Sequence, residues 1–373
     1  MRIDKNTTIK LGDRNIIKIK IGDSVIWEKK TEPEIDYFYV ESLGDGNTIS
    51  VVNKGNGNTD NVTPTLEYSK DKKTWNTITF DWTSGTHTTN LPILNTGEKM
   101  YFRNDTRLFS NSSSKYISFS SSVISNVGGD IRTLSNYLDV DNETTPQSYM
   151  FFRLFYQNGK IVDASDLRLP YTTLANRCYY QIFKNCTSLT TPPSLPATKL
   201  TDYCYEEMFY GCSKLTTPPE LPATTLTSGC YICMFFSCTN LTTPPSLPAI
   251  KLTGNCYEFM FYGCTNLTTP PSLPATTLAS SCYKNMFDSC TSLTTSPSLP
   301  ATTLASSCYY QMFYGCTKIN SITVYADDIS ATNCTKGWLS GVASTGTLHN
   351  LGSATYTKDS VSGIPTGWTE VKS

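Results

Sequence analysis

The sequence predicts a multidomain, β-rich chain: an N-terminal β-hairpin segment, an all-β immunoglobulin-like sandwich, and a C-terminal (β/α) solenoid of 26-residue repeats. Three observations carry this reading. All 14 cysteines lie between Cys178 and Cys334, most of them in two series that advance by 26 residues. Residues 37–137 alternate short β-favouring runs with turns. The 373 residues are rich in Thr, Ser, Asn, Tyr and Gly, with only 16% charged and a net charge of -1. That balance suits hydrogen-bonding β surfaces, and without a basic patch it gives nucleic-acid binding no electrostatic support.

At the N-terminus, Ile9-Lys10-Leu11-Gly12-Asp13 recurs as Ile19-Lys20-Ile21-Gly22-Asp23. Alternating Ile and Lys broken by Gly-Asp predicts β-hairpins. So small a segment, residues 1–33, cannot hold a core alone. It is expected to pair with copies of itself or with a partner, through Ile19, Ile21, Val25 and Trp27. Thr31-Glu32-Pro33-Glu34 reads as a linker. Met1 is followed by no apolar run, and no stretch of 18 or more apolar residues exists. The expectation is therefore a protein without secretory signal or membrane insertion, made in a cytoplasm.

Residues 34–146 hold the expected sandwich. Asn47–Val52, Thr65–Ser69, Trp75–Phe80 and Lys99–Arg103 read as strands, with turns at Gly44-Asp45-Gly46-Asn47 and Gly55-Asn56-Gly57-Asn58. About seven strands in roughly 100 residues is the immunoglobulin-like pattern. Asp139-Val140-Asp141-Asn142-Glu143 lacks the glycine and distal glutamate of a calcium loop and reads as a solvated linker.

Residues 147–320 are assigned to the repeat. Phe151 to Leu169 is expected to cap it, and residues 321–373 to close its far end. Cys178, Tyr179, Phe183, Cys186 and Leu189 each recur at intervals of 26, a period that means stacked supersecondary units. Within a unit the apolar positions 178, 179, 182, 183 and 186 suggest one face of a short helix. Leu189-Thr190-Thr191 suggests a short strand, ended by Pro192-Pro193, which have no N–H to donate. One strand and one helix in 26 residues fit the leucine-rich-repeat window. On such a helix the two cysteines of a unit would lie about 12 Å apart, beyond the roughly 7 Å that a disulfide spans. The thiols read as packing rungs. Cys230 and Cys233 form the single C-x-x-C, with no histidine nearby, so no metal or other cofactor is expected.

The motif from Cys256 to Leu278, C-Y-x-x-M-F-Y-G-C-T-x-L-T-T-P-P-S-L-P-A-T-T-L, resembles the BspA-like leucine-rich repeats of gut Bacteroides-group bacteria and their phages. The resemblance covers about residues 167–320. It implies surface adhesion or recognition without enzymatic activity. Asn333 to Thr347 and Gly363 to Trp368 look like the closing segments that follow such arrays. The opening Ile19-Lys20-Ile21-Gly22-Asp23-Ser24-Val25-Ile26-Trp27-Glu28-Lys29 is similar to the β segment that begins many phage fibre proteins. The bacterial members usually carry a signal, which this sequence lacks.

No residues point to catalysis. His87 and His349 lie in no metal or nucleophile motif, and no P-loop, G-x-S-x-G or Rossmann pattern is present. Asp327-Asp328, the tight acidic pair of the C-terminal region, reads as solvated. The variable positions beside the ladder residues are the candidate contacts for ligand or partner: Tyr210, Phe236, Tyr262 and Tyr314 after the Phe, and Tyr180 and Tyr310 after the Cys-Tyr. Aromatic rows there suit sugar rings or protein partners, or simply pack across coils. The expected function is a non-enzymatic phage fibre or decoration protein on the virion surface, a homo-oligomer held to other virion proteins by its N-terminal segment. The array would contact host-surface glycan or protein. A bacterial surface adhesin and a virion glycan hydrolase are the alternatives.

Overall fold

The computed structural model describes residues 18–21, 24–28, 35–55, 65–83, 85–105, 110, 112–359 and 361–372. It is mostly β, with several sheets and almost no helix. The chain divides into two compact units, Met1–Asp36 and Tyr37–Ser373. The first unit is an antiparallel hairpin of β1 (Lys18–Ile21) and β2 (Ser24–Glu28), with Ile19 opposite Trp27 and Lys20 opposite Val25. The earlier copy at 9–13, the linker at 31–34 and the turn at 56–58 lie outside the described residues.

The second unit opens with β3 (Phe38–Ser42), β4 (Ile49–Gly55), β5 (Thr65–Ser69), β6 (Asn76–Thr79), β7 (Gly85–Asn90), β8 (Lys99–Arg103), β9 (Tyr116–Ser121) and β10 (Ser125–Asp130). They form two sheets, β10-β3-β8-β5-β6 and β7-β4-β9. Alternate residues face inward: Phe38 and Phe102 of one sheet meet Phe119 of the other at 5.3 and 4.8 Å between ring centres. The segment expected to be a solvated linker is part-exposed along Asp139, Val140 and Asn142 and buried only at its end. Asp139 leads into a 3-10 turn at Val140–Asn142, and Glu143, only 6% exposed, accepts the Ser135 hydroxyl at 2.7 Å. A buried carboxylate needs such a donor.

The repeat forms a stack of coils, but not by the expected means. Residues 178–186 and their counterparts contain no helix. Each is a ribbon of tight turns. The N–H groups of Cys178, Tyr180, Ile182, Lys184 and Cys186 donate three residues back, to Ala175, Arg177, Tyr179, Gln181 and Phe183. The alternate N–H groups, of Tyr179, Gln181, Phe183 and Asn185, donate to Cys204, Glu206, Met208 and Tyr210 on the next coil. Every fourth residue has positive φ, as at Arg177 (51°), Gln181 (57°) and Asn185 (61°). The burial period is therefore four, in-in-out-out. A helix advances about 100° per residue and would put the eighth residue about 80° off its face. Spacing i, i+1, i+4, i+5, i+8 fits both over one turn but only the ribbon over two. Left-handed backbone costs most residues about 1–2 kcal/mol, so Gly211, Gly263, Gly315, Asn255 and Asn285 recur at these places.

Two ring columns fill the interior. Tyr179 to Tyr309 stack at 5.7–6.1 Å and Phe183 to Phe313 at 5.5–5.7 Å. All fourteen cysteines are free thiols. The second series has a directed role: Cys212, Cys238, Cys264 and Cys290 each donate S–H to the Phe carbonyl one coil back at 3.1 Å.

The remainder of each unit is extended, with Pro193, Leu195 and Ala197 buried in alternation. No strand ladder forms there, only isolated bridges such as Asp163 to Thr191 and Lys251 to Thr277, because the prolines lack donors. Ser296-Pro297 aligns with Ser321-Ile322, as shown by the bridge from Leu299 to Val324. Once the proline is gone, a true strand appears. β13 (Ser321–Val324), β14 (Gly346–Asn350) and β15 (Trp368–Lys372) form a parallel sheet that closes the stack.

Phe151 to Leu169 is no separate cap but part of a first coil. Tyr149, Arg153 and Gln157 have positive φ, and Phe151 and Arg153 donate to Cys178 and Tyr180. Its strands β11 (Ile161–Asp163) and β12 (Leu167–Arg168) pair with β10. Phe155 bridges Phe38 at 6.0 Å and Phe183 at 5.2 Å. Sandwich and stack therefore share one continuous core rather than meeting at a break near residue 146. Among the described residues no helix is long and apolar enough to cross a membrane.

Burial pushes the Cys256 and Cys308 thiols up to about 12 and holds Cys238 and Tyr231 well above their ordinary values. In the unfolded chain a thiol ionises near about 8.5. Between those two points the unfolded state gives up protons that the folded state keeps, so stability falls as pH rises. The thermal midpoint under reducing conditions is expected to be level up to about pH 8 and to drop steeply by about pH 10. A level midpoint through that range would contradict sealed, neutral rungs.

Candidate interaction surface on the turn face of the coils

The ribbon decides which side chains reach the surface. Its second pairs put residues 180 and 181 and residues 184 and 185, with their 26-residue counterparts, in parallel rows on one face of the stack, most of them part-exposed, while Gln181, Glu258, Asn285 and Asp288 are buried among their neighbours. The six aromatic candidates lie in two of these rows. Tyr210, Phe236 and Tyr262 are brought together, stacked in sequence at 4.4 Å with interplanar angles of 4° and 9°. This is tighter than the interior columns. Phe259 packs on the same patch, 5.9 Å from Tyr262; it is a left-handed ribbon position (φ 56°), which the helix reading could not single out.

The other three candidates stand apart. Tyr180 stacks on Phe152 of the first coil at 5.1 Å. Tyr310 lies between two lysines, Lys284 at 5.9 Å and Lys336 at 6.0 Å. Tyr314 is 43% exposed. Ile19, Ile21, Val25 and Trp27 fall on the hairpin of the first unit.

Charges surround the aromatic patch in pairs. Lys184 caps the open face of Tyr210 at 4.2 Å and reaches Glu207, which also accepts the Gln181 amide. Lys284 bonds Glu258 at 2.8 Å. Glu206 lies 3.9 Å from Arg177, and burial lifts its carboxyl to about 7 against the pull of that arginine. Desolvation also raises the Cys233 thiol, with Glu207, Glu258 and Glu206 adding to it. This cysteine, off the ladder register, is half-buried beside the patch.

The geometry limits what the patch can recognise. A sugar stacks on a free ring face. Here the faces of Phe236 are taken by Tyr210 and Tyr262, and those of Tyr210 by Phe236 and Lys184, so Tyr210 and Phe236 offer ring edges rather than faces. Asp327 and Asp328 lie elsewhere and serve the backbone: Ser353 of the next coil donates to Asp327 at 2.8 Å, and Ser330 donates to Asp328 within a local turn at 2.9 Å. Among the described residues no group of His, Cys, Asp and Glu is arranged to hold a metal. No family model, curated protein or solved structure matches this chain.

Neighbouring residues separate interior from surface. Phe235→Ala opens the sealed column and is expected to cost about 3–5 kcal/mol. Phe236→Ala removes two ring contacts from a half-exposed row and is expected to cost about 1–2 kcal/mol. Chemical denaturation of the two variants checks the ranking. Equal losses would mean that the outer row is as much a part of the core as the inner one.

Proposed function

We propose that this protein is a non-enzymatic structural protein of a bacteriophage virion, a fibre or decoration protein, whose repeat array is displayed for recognition of a host-surface or protein partner. The supporting observation is the design of the array itself. The 26-residue unit copies one surface many times, and a repeated surface suits adhesion better than chemistry, which needs a single focused site. The BspA-like leucine-rich-repeat motif of residues 167–320 adds to this reading, although the coils use turn ribbons in place of helices. The immunoglobulin-like sandwich serves as a spacer. The hairpin of β1 and β2, with the phage-fibre resemblance of Ile19 to Lys29, attaches the chain to other virion proteins and to further copies of itself.

Mass spectrometry of gradient-purified particles from cultures that encode the protein tests the reading. Its peptides are expected at an abundance typical of structural proteins. Their absence from particles, or their recovery in a bacterial envelope fraction, would overturn it.

A further inference from the structure

The parallel sheet that closes the stack stops at an open edge. Its order is β13-β14-β15. On the β13 side the stack continues it, through the bridge from Val324 back to Leu299. On the far side of β15, among the described residues, neither a strand nor an isolated bridge pairs with the chain. The ribbon stops at the same end. Phe313 and Gly315 donate to Trp338 and Ser340 on the next coil, whereas their counterparts Leu339 and Gly341 donate to no carbonyl among the described residues. A strand edge left alone presents a row of unpaired N–H and C=O groups, a template for another strand.

Alternation sorts the side chains of β15. Leu348 and Asn350 are buried, and their partners in register are Glu370 and Lys372. Trp368 is buried on that same, core-side face. Thr369 and Val371 point outward, and Val371 is 47% exposed. Glu370 and Lys372 therefore flank an exposed valine, both on the core side of the edge. The Asn350 amide donates to Glu370 Oε1 at 2.7 Å, and Lys372 Nζ lies 3.7 Å from the same oxygen. Both contacts use Oε1, which leaves Oε2 to accept elsewhere, and the Lys372 side chain is 52% exposed.

We propose that β15 pairs antiparallel with β15 of a second copy of this chain, across a two-fold axis at Val371, so that two three-stranded sheets become one of six. Charge selects both the occupant and the register. In a two-fold pair, residue i meets j and j meets i. An axis perpendicular to the sheet keeps the two core-side faces together, so it must pass at a residue and not between two. At Glu370 or at Lys372 it would set like charges against each other, which destabilises a strand pair. At Val371 it sets Glu370 against the partner's Lys372 and Lys372 against the partner's Glu370, and the two exposed valines cover each other. The strand carries its own complement. This pairing does not depend on the virion reading or on the β1 and β2 hairpin.

Sedimentation velocity of the full-length protein tests it. A dimer with a dissociation constant on the order of 10 µM is expected. Glu370→Lys and Lys372→Glu each place like charges across the axis and should weaken the dimer at least tenfold. Mixed in equal amounts, the two variants are complementary and should associate with each other, and the double variant should regain the dimer. Val371→Cys should crosslink to its partner under mild oxidation, because opposed Cα atoms lie about 4.5–5.5 Å apart, within reach of a disulfide. Glu370→Lys also takes an acceptor from Asn350, so Lys372→Glu and Val371→Cys, both on exposed side chains, keep the test decisive if that variant unfolds. A wild-type monomer at tenfold higher concentration, a dimer indifferent to Lys372→Glu, or variants that stay apart when mixed would overturn the proposal. None of these results bears on whether the protein is found in particles.

Discussion

In the turn ribbon only every second amide finds a carbonyl on its own coil. The other half, those of Tyr231, Cys233, Phe235 and Ser237 for example, donate to Cys256, Glu258, Met260 and Tyr262 on the coil that follows. An unpaired buried amide costs about as much as a lost hydrogen bond, so one coil cannot exist without its neighbour. The rest of the molecule follows from this need. The first coil is placed against β10 of the sandwich, and the last is finished by a loop. The Val361 carbonyl accepts from Gly337 and the Gly363 carbonyl from the Trp338 indole at 2.8 Å. Asp359 holds that loop by accepting from Val361 and Ser362 at 2.8 Å each.

The interior is tuned to the same spacing. Parallel rings suit coils held in strict register, and a thiol is small enough to sit between them. The Phe209 carbonyl accepts both the Cys212 amide of its own turn and the Cys238 thiol of the next coil at 3.1 Å. Cysteine is thus both a spacer and a donor. Its abundance speaks to geometry rather than to redox chemistry.

Much of this was readable in the residues. The 26-residue register, the inward identity of Cys178, Tyr179, Phe183 and Leu189, and the strands at Thr65–Ser69 and Lys99–Arg103 were all expected and are found. The helix was not, because over nine residues a period of four and a period of 3.6 share most of their positions. The glycines and asparagines at every fourth place were the missed signal. The first coil was missed because Met150-Phe151 and Leu154-Phe155 keep the doublet pattern without the cysteines. Among the candidate contacts, the row from Tyr210 to Tyr262 did assemble, but the rings satisfy one another, and the place of Phe259 beside them depends on ribbon geometry that no helical wheel contains.

The central claim is that stacked ribbons of turns, and not helices, carry the array. Far-ultraviolet circular dichroism of the full-length protein tests it most directly. The account predicts a spectrum of turn and β character without the double minimum of α-helix. A leucine-rich repeat with a helix at 178–186 in every unit would instead give a strong helical signal, and finding one would contradict the ribbon and everything built on it.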